Sequence, residues 1–168
     1  MWLLLKKNNK DKLFISGKMI LFTRRVSMNI QGNYKKIIAK EFREIVVKMK
    51  DTKDLSEKMY FFSATYGVVS RVFNLEFDPA LVFTHFVLNA AGSTINGRLL
   101  ALKGGQDNVV KIPEDLFDSL QKSIEKLAEN IETGNKDELL KNLQKIANIA
   151  FTTTGNGYYL YQKGMLKI

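Results

Sequence analysis

Five stretches of this chain repeat apolar side chains at steps of three or four residues, and that period commits most of its 168 residues to amphipathic helices. In the first, Tyr34, Ile38, Phe42, Ile45 and Met49 share one face with Lys and Glu between them, which predicts a helix over about 33–50. The second carries Leu55, Met59, Phe62, Tyr66, Val69 and Phe73 as a heptad-like seam, with Asp54 and Glu57 at its start in capping-box spacing. Because the seam is shorter than three heptads, it fits a bundle helix better than a free coiled coil.

Asp78-Pro79 opens the third stretch with a cap and a proline at the first helical position, and Gly104-Gly105 closes it. From Pro79 to Gly97 there is no Asp, Glu, Lys or Arg. His85, Asn89, Ser93, Thr94 and Asn96 are costly in hydrocarbon, so the expectation is a central helix surrounded by its neighbours and not a membrane span. Gly92 and Asn96-Gly97 weaken its middle and predict a kink or a division into two helices.

The fourth helix is expected from Ile112-Pro113-Glu114 to Gly134, with Leu116, Leu120, Ile124, Leu127 and Ile131 on one face. The fifth opens on Asn135 and Glu138, turns Leu139, Leu143, Ile146 and Ala150 inward, and ends at Thr152-Thr153-Thr154-Gly155. Connections this short favour antiparallel neighbours. At the termini, 13–22 and 158–168 each place apolar, β-favouring residues on both sides of a glycine turn. The fold class expected is mainly α, an antiparallel bundle of about five helices with small β-hairpins at the N- and C-termini, in a single domain over 1–168.

Charge is distributed unevenly along this framework. The formal net charge is +9, yet residues 1–50 hold 13 Lys and Arg against Asp11, Glu41 and Glu44, while 51–168 hold 13 basic and 14 acidic side chains. Asymmetry of that kind points to an anionic partner. Residues 1–27 alone contribute +6, and translation from Met28 would leave +3. With 21 Lys against five Arg, contact with a phosphate backbone is favoured over the bidentate reading of guanine edges. Lys36, Lys40 and Arg43 fall at i, i+4 and i+7 and form one ridge. Arg24, Arg25, Lys163 and Lys167 extend the basic set, the last two beside Tyr158, Tyr159 and Tyr161.

Catalytic signatures are scarce. There is no Cys, which removes disulfides, thiol nucleophiles and iron–sulfur clusters, and fits a reducing cytoplasm. Trp2-Leu3-Leu4-Leu5 is too short for a signal-peptide core and its Lys follow it, so secretion is disfavoured and a cytoplasmic location is expected. A metal centre is disfavoured with one His and no Cys, and the acids Glu114, Asp118, Glu125, Glu129 and Glu132 alternate with Lys122 and Lys126 as a solvated helix face does. Gly155-Asn156-Gly157 follows a helix instead of opening one, which reads as a stop and turn and not as a phosphate loop. His85, Asn89, Ser93 and Asn96 form the one polar stripe that could line a small-molecule pocket.

Three expectations stand. The first is a non-enzymatic binding or assembly subunit whose basic surface meets RNA, DNA or an acidic protein, without cofactor or metal. The second is a helical-bundle enzyme or small-ligand binder using the His85 stripe. The third is an adaptor that forms a homodimer through the seam of the second helix.

Overall fold

In a computed structural model, residues 33–73, 77–105 and 110–168 are described, and the N-terminal hairpin expected at 13–22, with Arg24 and Arg25, lies outside them. Six helices account for most of the described residues: α1 (Tyr34–Asp51), α2 (Leu55–Phe73), α3 (Pro79–Lys103), α4 (Leu116–Thr133), α5 (Lys136–Phe151) and α6 (Gly155–Gln162). Lys35–Ile168 form one compact unit.

The apolar faces read from the sequence meet in its interior. Ile38, Phe42 and Met49 of α1, Phe62 and Val69 of α2, Leu120, Ile124 and Leu127 of α4, and Leu143 and Ile146 of α5 are essentially inaccessible to solvent. The packing of α3 against α2 and α5, and of α4 against α5, builds the bundle.

Polar contacts fix the direction of each pair. Arg43 and Lys50 of α1 reach Glu132 and Glu125 of α4, seven residues apart on each helix and in opposite order, so the two run antiparallel. Glu41 with Arg71, and Lys48 over the Phe61 ring, set the same opposed direction for α1 and α2. Between α2 and α3, Ser56 meets Lys103 while the Tyr66 carbonyl meets His85, again in reverse order.

Ends are set locally. Asp78 Oδ1 accepts from Ala80 N–H at 2.9 Å, with Pro79 in the first turn of α3. Asn135 Oδ1 accepts from Glu138 N–H at 3.2 Å, and Gly134, at φ 72°, takes the left-handed position that ends α4. At α2 the capping box takes another form. Asp54 Oδ1 accepts from Ser56 N–H, but Glu57 accepts from the Thr52 hydroxyl, and that hydroxyl in turn accepts from Asp54 N–H. The α4 helix begins at Leu116, later than Ile112, because Pro113 to Leu116 forms a tight turn whose Pro113 carbonyl accepts from Leu116 N–H.

Two sequence expectations are corrected. First, α3 is one continuous helix of 25 residues, about 37 Å long. Gly92 is not a break: it lies buried within the helix, where a Cβ would make ordinary van der Waals contact with Met59 at 3.6 Å and Phe62 at 3.7 Å. Second, there is no strand among the described residues, and 158–168 holds no hairpin. Thr154 caps a new helix, accepting from Gly157 N–H at 3.2 Å, and the chain turns Tyr158-Tyr159-Leu160-Tyr161 through helical geometry until Gly164 stops it at φ 68°. The local β preference of that tetrapeptide yields to the cap and to two tertiary ties. Arg98 Nε donates to the Thr153 carbonyl at 2.9 Å, and the Tyr161 hydroxyl donates to Asp115 Oδ1 at 2.8 Å.

Candidate interaction surface

The basic ridge of α1 is partly consumed within the molecule. Lys36, Lys40 and Arg43 are all exposed. Lys40, however, lies 3.8 Å from Glu44, and Arg43 is hydrogen-bonded to Glu132 across the α1–α4 contact. Lys36 makes no ion pair among the described residues, and Lys50, two turns beyond Arg43 on the same face, is held by Glu125 at 2.6 Å. Lys163 and Lys167 are exposed at the other end of the chain, and the Lys163 ammonium sits 5.7 Å from the Tyr159 ring centroid, within cation–π range.

The polar stripe of α3 faces solvent. Asn89, Ser93 and Asn96 are exposed and His85 is half-buried, its Nδ1 3.1 Å from the Tyr66 carbonyl and its ring edge-on to Tyr66 and Phe86. Of the four, Asn96 alone lines the adjoining groove of about 310 Å³ between α2 and α3. A larger groove of about 980 Å³ runs between α4 and α5, where Lys122, Lys126 and Lys145 alternate with Glu125, Glu129 and Glu138. Its mixed charge suits a solvated helix pair. No cluster of three or more His, Cys, Asp or Glu side chains able to hold a metal ion occurs among the described residues.

Two carboxylates and a phenol report on local electrostatics. Asp54 is held below its ordinary value, mainly by the Ser56 backbone N–H and further by Glu57 N–H and the Lys103 charge. Glu138 is lowered by its hydrogen bond and charge contact with Lys141, whose own value is raised by the same pairing. Tyr161 is raised, first by its hydrogen bond to Asp115 and then by desolvation. All four shifts belong to caps and surface ties.

The feature that sequence reasoning missed is the outer face of α3. Its inner face, with Leu81, Leu88, Ile95 and Leu99, is buried, but the helix is not surrounded on all sides as the sequence led us to expect. The opposite face is open: Phe83 is 48%, Phe86 62% and Leu100 60% exposed, and Ala90, Ser93 and Gly97 between them are exposed too. These positions, 83, 86, 90, 93, 97 and 100, recur at steps of three, four, three, four and three. That is the heptad-like spacing seen in α2, whose Met59, Phe62 and Val69 are spent in the core. The spacing is present in the sequence, but α3 carries no charged residue from Pro79 to Gly97, and a stretch of that kind reads as buried. No helix of the described residues is long and apolar enough to cross a membrane.

Fold and surface together define an all-helical bundle whose α3 is buried along one face and exposes Phe83, Phe86 and Leu100 along the other. Comparison with protein-family models, with curated proteins and with solved structures finds no match.

Proposed function

We propose that the protein is a non-enzymatic assembly subunit that docks through the outer face of α3. One observation carries this reading: two phenylalanines and a leucine are about half or more exposed along a helix that has no charged residue from Pro79 to Gly97. Large apolar side chains exposed along one helix face mark interaction sites, because leaving them in water forfeits on the order of 25 cal/mol per Å². Of the α2 seam, Met59, Phe62 and Val69 are buried in the protein's own core while Leu55 is 45% exposed, which favours α3 over α2 as the docking face of an adaptor.

Placing a photoreactive residue at Phe86 in the full chain, with Gln144 as an exposed control, tests the reading in the native cell extract. Cross-linking to a protein from position 86 and not from position 144 is expected. Absence of any product from position 86 overturns it.

An anionic partner is the second reading, favoured by charge. Residues 139–168 contain Lys141, Lys145, Lys163 and Lys167 and no acid, and Lys36 stands exposed on α1. Nucleic-acid binding through these groups would weaken steeply with salt, by a slope of about −0.9 per phosphate neutralised on duplex DNA. Reversing Lys36, Lys163 and Lys167 to Glu should flatten that slope. No binding at low salt removes the nucleic-acid form of this reading.

A further inference from the structure

We infer that the groove between α4 and α5 binds a small multivalent anion of the polyphosphate class, with Ser123 at its floor and Lys122, Lys126 and Lys145 around its mouth. The inference goes beyond the assembly reading and does not depend on it, because the groove belongs to α4 and α5 and the docking face to α3.

The floor is the first argument. Of the residues lining this groove only Ser123 and Asn142 are buried, at 1% and 7% exposure. Asn142 Nδ2 donates to the Ser123 carbonyl at 2.7 Å and so joins the two helices at this level. The Ser123 hydroxyl is left over. Among the described residues it is the one buried side-chain oxygen or nitrogen without a hydrogen bond. Helical hydroxyls commonly turn back to a carbonyl of the preceding turn, as Thr65 does to Phe62 and Ser70 to Gly67, but Ser123 does not. A buried donor left unbonded costs stability, and a bound acceptor removes that cost. The groove above it, about 980 Å³, has the volume of a small-molecule site, for which roughly 300–1,000 Å³ is usual.

Charge supplies the second argument and the class of ligand. Four lysines and three glutamates line the groove, but they are not equally available. Glu125 is engaged from outside by Lys50 of α1 at 2.6 Å, and Glu138 by Lys141 at 2.7 Å. Lys122, Lys126 and Lys145 are exposed and make no ion pair among the described residues, and of the lining carboxylates only Glu129 remains to answer them. Two of these lysines stand one turn apart on α4 and the third comes from α5. Ammonium groups spread over two helices act as separate point charges, which suits an anion carrying several phosphoryl groups better than a single carboxylate.

Calorimetric titration of the full chain with inorganic triphosphate at low salt tests the inference. The wild type should bind it saturably, and far more tightly than acetate. Ser123→Ala changes no charge and should weaken binding by about tenfold, the effect of losing a hydrogen bond to a charged acceptor. Lys122→Gln combined with Lys145→Gln should weaken it further and flatten its salt dependence. Lys163→Gln, outside the groove, should bind like wild type. Helical circular dichroism confirms that each variant is folded, and the three lysines are exposed. A Ser123→Ala protein that is folded and stable yet binds more weakly separates a ligand contact from a structural role.

A wild type that does not bind triphosphate overturns the inference. So does a Ser123→Ala variant that binds like wild type, because diffuse attraction to surface lysines is indifferent to a neutral, buried hydroxyl. Acetate bound as tightly as triphosphate overturns the ligand class, and an equal loss in Lys163→Gln overturns the assignment to this groove.

Discussion

The Tyr161 hydroxyl donates to Asp115 Oδ1 at 2.8 Å and so ties the last helix to the residue that precedes α4, 46 positions earlier in the chain. The bond requires a protonated phenol and favours an ionised carboxylate. It raises the Tyr161 value above that of free tyrosine, with desolvation adding to the shift. A raised folded value means the folded state holds this proton more tightly than the unfolded one. The stabilisation is therefore fully present below about pH 10, tyrosine's ordinary value, and is lost as pH rises through the folded value. Urea unfolding at pH 8 and at pH 11 should show wild type losing more stability than Tyr161→Phe. Equal losses would mean that the bond contributes nothing to folding.

Gly157 and Gly67 are expected to respond in opposite ways to alanine. A Cβ at Gly157 would stand 1.8 Å from the Phe151 carbonyl oxygen, a backbone atom that cannot rotate away, whereas Gly67 has nothing within 4 Å. Gly157→Ala must therefore displace the α5–α6 junction, at a cost on the order of 3 kcal/mol. Gly67→Ala sits inside α2 and should stabilise by roughly 0.5–1 kcal/mol through helix propensity. Thermal melts of the two variants beside wild type check both signs.

Ser123 is 1% exposed, and its hydroxyl has no hydrogen-bond partner among the described residues, although its backbone carbonyl accepts from Asn142 Nδ2 at 2.7 Å. A buried hydroxyl left unsatisfied costs about 1–3 kcal/mol, while alanine keeps the carbonyl bond and removes the hydroxyl. Ser123→Ala is expected to raise stability by about 1 kcal/mol in chemical denaturation. A clear loss would show that the hydroxyl is engaged.

Helices with a one-sided apolar pattern were legible because their period reports both conformation and the buried face. Ile38, Phe42, Ile45 and Met49, or Leu139, Leu143, Ile146 and Ala150, go where their spacing sends them. Residues 158–161 were not, because three tyrosines and a leucine favour strand locally, and the helix depends on the Thr154 cap and on contacts with Arg98 and Asp115 that are remote in sequence. The open face of α3 was hidden for a different reason. Periodicity separates apolar from polar faces, and a helix with Leu88 on one side and Phe86 on the other offers no contrast to read. The α1 ridge shows the converse. Spacing aligned Lys36, Lys40 and Arg43, but which of them is already paired depends on Glu132, 89 residues from Arg43.

That pairing determines how a charge-reversal experiment on the ridge should be read. Arg43→Glu faces Glu132, and so turns an attraction into a repulsion within the molecule before any partner is considered. Both side chains are substantially exposed, at 50% and 35%, so the pair contributes at most about 1 kcal/mol and its reversal should destabilise by a similar amount. Adding Glu132→Arg to Arg43→Glu restores an ion pair of opposite polarity across α1 and α4. A double-mutant cycle in low salt should show coupling of a few tenths to about 1 kcal/mol that shrinks in high salt. Lys36→Glu carries no such internal penalty among the described residues, so a loss of nucleic-acid binding in that variant reports on an outside partner. If Lys36→Glu leaves binding unchanged while Arg43→Glu weakens it in step with stability, the ridge serves the α1–α4 contact and not a phosphate backbone.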